Sequence, residues 1–269
     1  MAEMTRPNIL WLCTDQQRYD TIAALGYPGV VTPVVDRLVA EGTAFTHAYC
    51  QSQICTPSRA SFLTGLYPST VHVTRNGNRD FPKSAKLITR ILADAGYDCG
   101  LAGKLHLSSA FERLEPRPDD GYRVFHWSHS PWDGYTEGHA YADWVKAKGS
   151  DLGELNKLFD GTPPELHQVT WATEKLIEFV QEKREGPWLF SWNILDPHAP
   201  FDPPQEYLDQ FDPAQMPDPL FRESDYDTQR KLEGVDFQSK VRDPKELDIR
   251  FPVLNIPAEQ RWGTNVSSP

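Results

Sequence analysis

The chain has 269 residues, of which 24% are charged and 12% aromatic, a balance that supports a sizeable core and excludes a disordered polypeptide. Its formal net charge is -11 and no Lys/Arg cluster interrupts it, which argues against nucleic acid and against anionic membranes as main partners. A mean hydropathy of -0.55 is polar for this length, so part of the chain is expected to pack weakly.

The opening M-A-E-M-T-R-P runs straight into a strand-like segment, without a basic stretch followed by an apolar one. The expectation is no secretory leader, no membrane span and a cytoplasmic location. Cys13, Cys50, Cys55 and Cys99 are scattered without CxxC spacing and are expected as reduced thiols. In that setting the sequon Asn265-Val266-Ser267 carries no expectation of glycosylation.

N-I-L-W-L-C-T (8–14) is a near-continuous apolar run, the pattern of a central parallel strand buried on both faces, and it stops at D-Q-Q-R (15–18). Thr32-Pro33 reads as an N-cap followed by proline at the first helical position. Val34, Val35, Leu38 and Val39 then form a helical stripe that ends at Gly42. F-T-H-A-Y-C (45–50) reads as a strand or extended segment. Pro57 to Leu66 reads as a helix, ended by turn chemistry at Tyr67-Pro68. Leu87, Ile88, Ile91, Leu92 and Ala95 make another amphipathic helix, stopped at Gly96, and Y-D-C-G-L-A-G (97–103) follows as a strand.

Residues 115–144 are rich in aromatics, His, Gly and Pro and read as a long ordered loop. Leu166, Val169, Thr173, Leu176, Ile177 and Val180 give a long helical stripe, and W-L-F-S-W-N-I-L (188–195) a strong strand. Strands alternating with helices imply an α/β fold with a mostly parallel central sheet flanked by helices. From Pro200 onward prolines recur and charges are dense, with only F-P-V-L-N-I (251–256) resembling a strand. The chain therefore divides into a main α/β unit over 1–199 and an extended, weakly packed tail over 200–269.

In open α/β sheets, ligands bind beyond the carboxyl ends of the strands. There stand Asp15 and Gln16 after the first strand, Lys104 and His106 after the second, and Asp196 and His198 after the last, while Cys55 and Arg59 open a helix. A carboxylate and an amide oxygen suit a hard divalent cation; Lys, Arg and two His suit an anion with several oxygens. Asp196 reads as orienting the turn to Pro197, and Asn76 as turn chemistry. His126, His129 and His139 lack the spacing of a structural zinc site and read as part of an aromatic, substrate-facing loop.

Cys55-Thr56-Pro57-Ser58-Arg59 matches the C-x-P-S-R signature of the sulfatases, in the alkaline phosphatase superfamily. R-P-N-I-L-W-L-C-T-D-Q-Q-R-Y-D, T-P-V-V-D-R-L-V-A-E-G, S-F-L-T-G-L-Y-P, G-K-L-H-L and D-P-H-A-P-F resemble that family's other blocks, in its order, over about residues 6–202. The resemblance implies an alkaline phosphatase/sulfatase-like fold and a motif cysteine oxidised by a maturation enzyme to formylglycine. One hydroxyl of the aldehyde hydrate would attack sulfur, and the second would collapse the covalent sulfate ester to release sulfate. It further implies Ca²⁺, with Mg²⁺ or Mn²⁺ as alternatives, held in part by Asp15, Gln16 and the hydrate at Cys55. Arg59 would hydrogen-bond the hydrate, Lys104 bind the sulfate, His106 touch hydrate or sulfate, and His198 contact the bridging oxygen or protonate the leaving group.

The sequence departs from the family after residue 200. No D-H-G or D-N-G run supplies a second metal-ligand pair; Asp225, Asp227 and Asp236 lack a preceding strand and a following glycine, and the smaller C-terminal domain is missing. The chain thus reads as an apparently truncated, N-terminal portion, with sheet edges or helix faces to be covered by the polar tail or in a homo-oligomer. The expected activity is hydrolysis of sulfate monoesters of a small molecule or carbohydrate. Alternatives are a phosphonate monoester or phosphodiester hydrolase of the same superfamily and an inactive anion-binding fragment. A plain cysteine hydrolase pairing a thiolate with His106 or His198 leaves Asp15-Gln16 unexplained.

Overall fold

The computed structural model describes residues 6–26, 29–110, 113–131, 137–155, 161–216 and 222–232. Four strands, β1 (Ile9–Cys13), β2 (Asp98–Gly103), β3 (Val124–Trp127) and β4 (Trp188–Asn193), form one sheet in the order β1-β4-β2-β3. Every pairing is parallel: Ile9 lies opposite Leu189, Asp98 opposite Trp188, and Gly100 opposite Val124. Parallel pairing needs crossovers: α1 (Pro33–Glu41), α2 (Cys55–Thr64) and α3 (Ile88–Asp94) lie between β1 and β2, and α4 (Ala140–Ala147), α5 (Leu152–Leu155) and α6 (Gln168–Gln181) between β3 and β4, while α7 (Gln205–Leu208) and α8 (Glu223–Leu232) follow β4.

Side chains alternate across a strand, and β2 and β4 use this to feed two cores. Cys99, Leu101 and Leu189 pack with Leu63, Val73, Leu87 and Leu107 on one face. Ala102 and Phe190 pack with Tyr141, Val145, Trp171 and Phe179 on the other. Gly100 permits the second core's closest contact: a Cβ there would lie 2.7 Å from Phe190 Cδ2 and 2.8 Å from Phe179 Cε2, inside van der Waals contact.

Four expectations change. β1 is an edge strand, not a central one: it pairs only with β4 among the described residues, and Leu10 and Leu12 are 44% and 51% exposed. The stripe on α1 is likewise open, with no buried residue in the helix. Residues 45–50 form no strand; they turn at 46–47 and are exposed. The stretch 115–144 holds β3 and the start of α4, since V-F-H-W has the aromatic and β-branched make-up of a strand and β2 presents a free edge to it.

Smaller adjustments follow from caps. α2 begins at Cys55 and ends at Gly65, which takes the left-handed conformation (φ 69) and donates its N–H to Ser61 O, a glycine C-cap. Between 200 and 232, α7 and α8 stand where an extended chain is expected. F-P-V-L-N-I, Asp236 and the sequon lie outside the described residues. The four cysteines are free thiols. No described helix is long and apolar enough to cross a membrane.

Burial sets the expected cost of core and edge changes. Phe190→Ala, at a fully buried ring between Phe179 and β2, should lower stability by about 3–5 kcal/mol. Leu12→Thr on exposed β1 should stay within about 0.5 kcal/mol. Urea unfolding of the two variants side by side checks both; equal losses would show that β1 is covered in solution.

Candidate active site

The carboxyl ends of β1, β2 and β4 converge through backbone bonds. Ile194 donates its N–H to Cys13 O at 3.0 Å, and Asp15 donates its own to Asp196 O at 3.1 Å. Lys104 donates its N–H to Asn193 O at 2.8 Å, and Asn193 Nδ2 donates back to Lys104 O at 3.0 Å. This exchange depends on Gly103. Its φ is 112, and a Cβ would sit 1.8 Å from Asn193 O, a conformation and an approach open only to glycine.

α2 brings the third segment. Its N-cap, Ile54, offers no side-chain acceptor; the Thr56 N–H is instead accepted by Asn76 Oδ1 at 3.0 Å. Asn76 is therefore a helix-capping residue and not only turn chemistry. The positive end of α2 lies at Cys55. One turn on, buried Arg59 donates Nη1–H to Lys104 O at 2.8 Å, locking helix to strand end.

The charges meet at Asp15. Its Oδ2 lies 2.5 Å from Lys104 Nζ and 3.5 Å from Arg59 Nη2, and all three side chains are buried. Burial pushes the Asp15 carboxyl up, but Lys104 and Arg59 together outweigh it and hold the group below the usual carboxylate range. Burial pushes Lys104 down while Asp15 pulls it back. Cys55 Sγ lies 3.8 Å from Asp15 Oδ1. Burial, with Asp15 adding to it, raises the Cys55 thiol despite Lys104. A thiol so raised lacks the lowered pKa of an activated cysteine nucleophile.

His106 and His198 flank this cluster as neutral rings. His106 is buried, with a left-handed backbone (φ 54), and meets His129 edge-on at 4.4 Å between ring centroids. Burial holds it well below the ordinary histidine range, with His129, Lys104 and Arg59 acting in the same direction. Its Nδ1 has no hydrogen-bond partner among the described residues. His198 donates Nδ1–H to Ala199 O at 2.6 Å, which leaves Nε2 as an acceptor; burial and Lys104 lower its pKa. Asp196 faces His167, 3.9 Å away, apart from the charge cluster.

Asp15, Cys55 and His198 hold ligand atoms all within 4.8 Å of one another. A buried carboxylate and the atom carried at position 55 fit a divalent cation in kind, although Ca²⁺ takes six to eight oxygens and these groups supply fewer. Gln16 stands beside them exposed, at φ 64. Asp225 and Asp227 lie on α8, outside the cluster. Of the aromatic loop, His129 and His139 are turned into the protein against Trp127. The sequence reading passes over Asn193 and Glu115, which act through backbone groups and so carry no motif of their own.

The depressed Asp15 fixes a sign. A carboxyl whose folded pKa is lowered contributes stability above its unfolded value and loses it only as pH falls through the folded one. In metal-free protein, Asp15→Asn leaves two buried cations unpaired and should cost about 3–5 kcal/mol. That gap should be full between about pH 5 and 8 and narrow only below about pH 4, as read by urea unfolding across pH.

With this geometry in hand, similarities to other proteins are informative. The sulfatase family pattern matches residues 7–236. Curated relatives include the uncharacterised sulfatase YidJ of Escherichia coli, 30% identical over 77% of this chain, and an ulvan-active sulfatase of Formosa agariphila, 30% identical over 80%. The chain spans 42% and 40% of the lengths of those two proteins. Among solved structures, the phosphonate monoester hydrolase of Agrobacterium radiobacter superposes with a TM-score of 0.66 at 22% identity, covering 86% of this chain and 49% of that one. The two share the fold.

Proposed function

Because the chain belongs to the sulfatase family, we propose that it serves the hydrolysis of sulfate monoesters, with Cys55 as the precursor of a formylglycine nucleophile. The observation that carries this is the buried cluster of Asp15, Lys104 and Arg59 around Cys55. A raised thiol held among cations is poorly placed to act as a thiolate, and well placed as the site of an oxygen nucleophile. The maturation enzyme that oxidises such cysteines is then a required partner.

Each residue takes a role that its contacts support. Lys104 and Arg59 exceed Asp15 by one positive charge, which suits a monoanionic sulfate ester. The positive end of the α2 dipole lies beside the same place. Neutral His106 offers an unpartnered Nδ1 to the hydrate or sulfate. His198 presents Nε2 toward the bridging oxygen, and arrival of an anion would raise its pKa and supply the proton that the leaving group needs. Asp15, with Gln16 and the group at 55, would hold a divalent cation, Ca²⁺ by the oxygen character of the set. Such a cation polarises sulfate oxygens and lowers the pKa of a bound hydroxyl.

We take a sulfated carbohydrate as the substrate class, in line with the ulvan-active relative. A cytoplasmic location belongs to the same reading.

Co-expression with a maturation enzyme, followed by mass spectrometry of the peptide around Cys55, should find aldehyde in place of thiol. The converted protein should turn over an aryl sulfate faster than an aryl phosphonate, and Lys104→Ala should reduce kcat by about 10²–10³-fold. Unmodified thiol would sink the formylglycine step, and preference for the phosphonate would move the chain to that activity. Since burial keeps His106 neutral well below the usual histidine range, kcat/KM should show no acid limb near pH 6.5. A pH–rate profile from about pH 5 to 8 reads this directly.

A further inference from the structure

The segment after β2 holds a shape that its own backbone does not favour. His106 is left-handed, although it carries a full side chain, a conformation that needs support from its surroundings. The N–H groups of His106, Leu107 and Ser108 all turn toward one point, and Glu115 fills it. Oε2 accepts the His106 N–H at 2.8 Å; Oε1 accepts those of Leu107 and, at 3.1 Å, Ser108. Trp127 Nε1–H adds a fourth bond to Oε2 at 3.1 Å.

Glu115 is buried, and among the described residues it forms no salt bridge. Burying a carboxylate in this way is costly, and removing it would leave four buried N–H donors without an acceptor. Four N–H donors spread over both oxygens counter part of that cost, although burial still prevails and raises the Glu115 carboxyl. The same network reaches the rings around His106. Trp127 stacks on His129 at 6.5 Å, and His129 meets His106 at 4.4 Å. Glu115 thus grips both the backbone of His106 and the aromatic wall beside its imidazole.

We propose that Glu115 is a positioning residue for the anion-binding loop 104–108: it sets the backbone of His106 so that the imidazole meets the anion beside Lys104. In naming that anion as sulfate, this rests on the sulfatase reading. A shift of the ring would cost contacts made as the reaction proceeds more than initial binding. Glu115→Gln keeps the volume but turns an amide N–H₂ toward N–H donors.

The test is a double-mutant cycle of Glu115→Gln with His106→Ala in the full, converted chain. Glu115→Gln should lower aryl sulfate kcat by about tenfold or more, with KM within about twofold. In the His106→Ala background it should cost little further, because the two act as one unit. Trp127→Phe, which removes a single donor and keeps a ring, should lower kcat in the same direction by a smaller factor. It also stands in if Glu115→Gln does not fold. Should the wild type show no turnover, the cycle is read on the ¹H–¹⁵N shifts that inorganic sulfate causes at residues 106–108. The sulfatase reading then fails, while the coupling still decides the role of Glu115. Unchanged kcat, or sulfate-induced shifts at 106–108 that Glu115→Gln leaves as in the wild type, or a loss that adds in full to His106→Ala, overturns the inference alone. A wild type that neither turns over aryl sulfate nor binds sulfate overturns both.

Discussion

A carboxylate and two cations share the dry end of the sheet, and neither sign of charge is tolerable there without the other. Asp15, Arg59 and Lys104 come from a strand end, a helix and a second strand end, far apart in sequence. Their attraction is strong because the surroundings are poor in water, and losing either partner would strand the rest at a cost of several kcal/mol. The backbone is arranged around this need. Gly103 allows Lys104 and Asn193 to exchange hydrogen bonds, Arg59 ties α2 to the carbonyl of Lys104, and the end of β4 holds Asp15. The site is a consequence of closing these three segments.

The open side of the sheet coincides with the open side of the site. Asp15 lies just beyond β1, the edge strand whose Leu10 and Leu12 are exposed, and α1 nearby buries none of its residues. Leu12 is therefore a surface residue in this structure with the chemistry of an interior one. Exposed apolar edges are poor in a soluble protein. The chain also spans less than half of the two curated relatives described above, and the cation donors within the described residues fall short of what a hard metal takes. The uncovered strand and the short ligand set are features of the same border.

How much of this was legible in the sequence follows from what each residue interacts with. β2, β4, α3 and α6 lie where periodicity places them, although Ile88, Ile91, Ile177 and Val180 of the expected stripes are exposed and Trp171, Ala172 and Phe179 carry the packed face of α6. β1 was legible as a strand but not as an edge: N-I-L-W-L-C states how apolar the segment is and says nothing about which neighbours are present. β3 was hidden by His126 and Trp127, residues that suggest a binding loop until β2 is seen to pair with them. Among site residues, Cys55, Arg59, Lys104 and His106 were readable because each sits in a motif. Asn76, Asn193 and Glu115 were not, since their work is to accept or donate bonds to distant backbone, and any polar residue in any loop could do so.

The same distinction bears on how a cysteine can serve such a place. A thiolate nucleophile needs a partner that favours its negative charge, and Cys55 has Lys104 near; yet burial and Asp15 prevail and raise the thiol above its ordinary range. What the cluster favours is a monoanion bound from outside, because Arg59 and Lys104 leave one positive charge after Asp15 is satisfied. A nucleophile that is neutral while waiting leaves that surplus for the substrate, whereas a thiolate would consume it. A protonated thiol meets that condition as an aldehyde hydrate does. The electrostatics of Asp15, Arg59 and Lys104 therefore suit a bound monoanion beside position 55, independent of the motif that marks it.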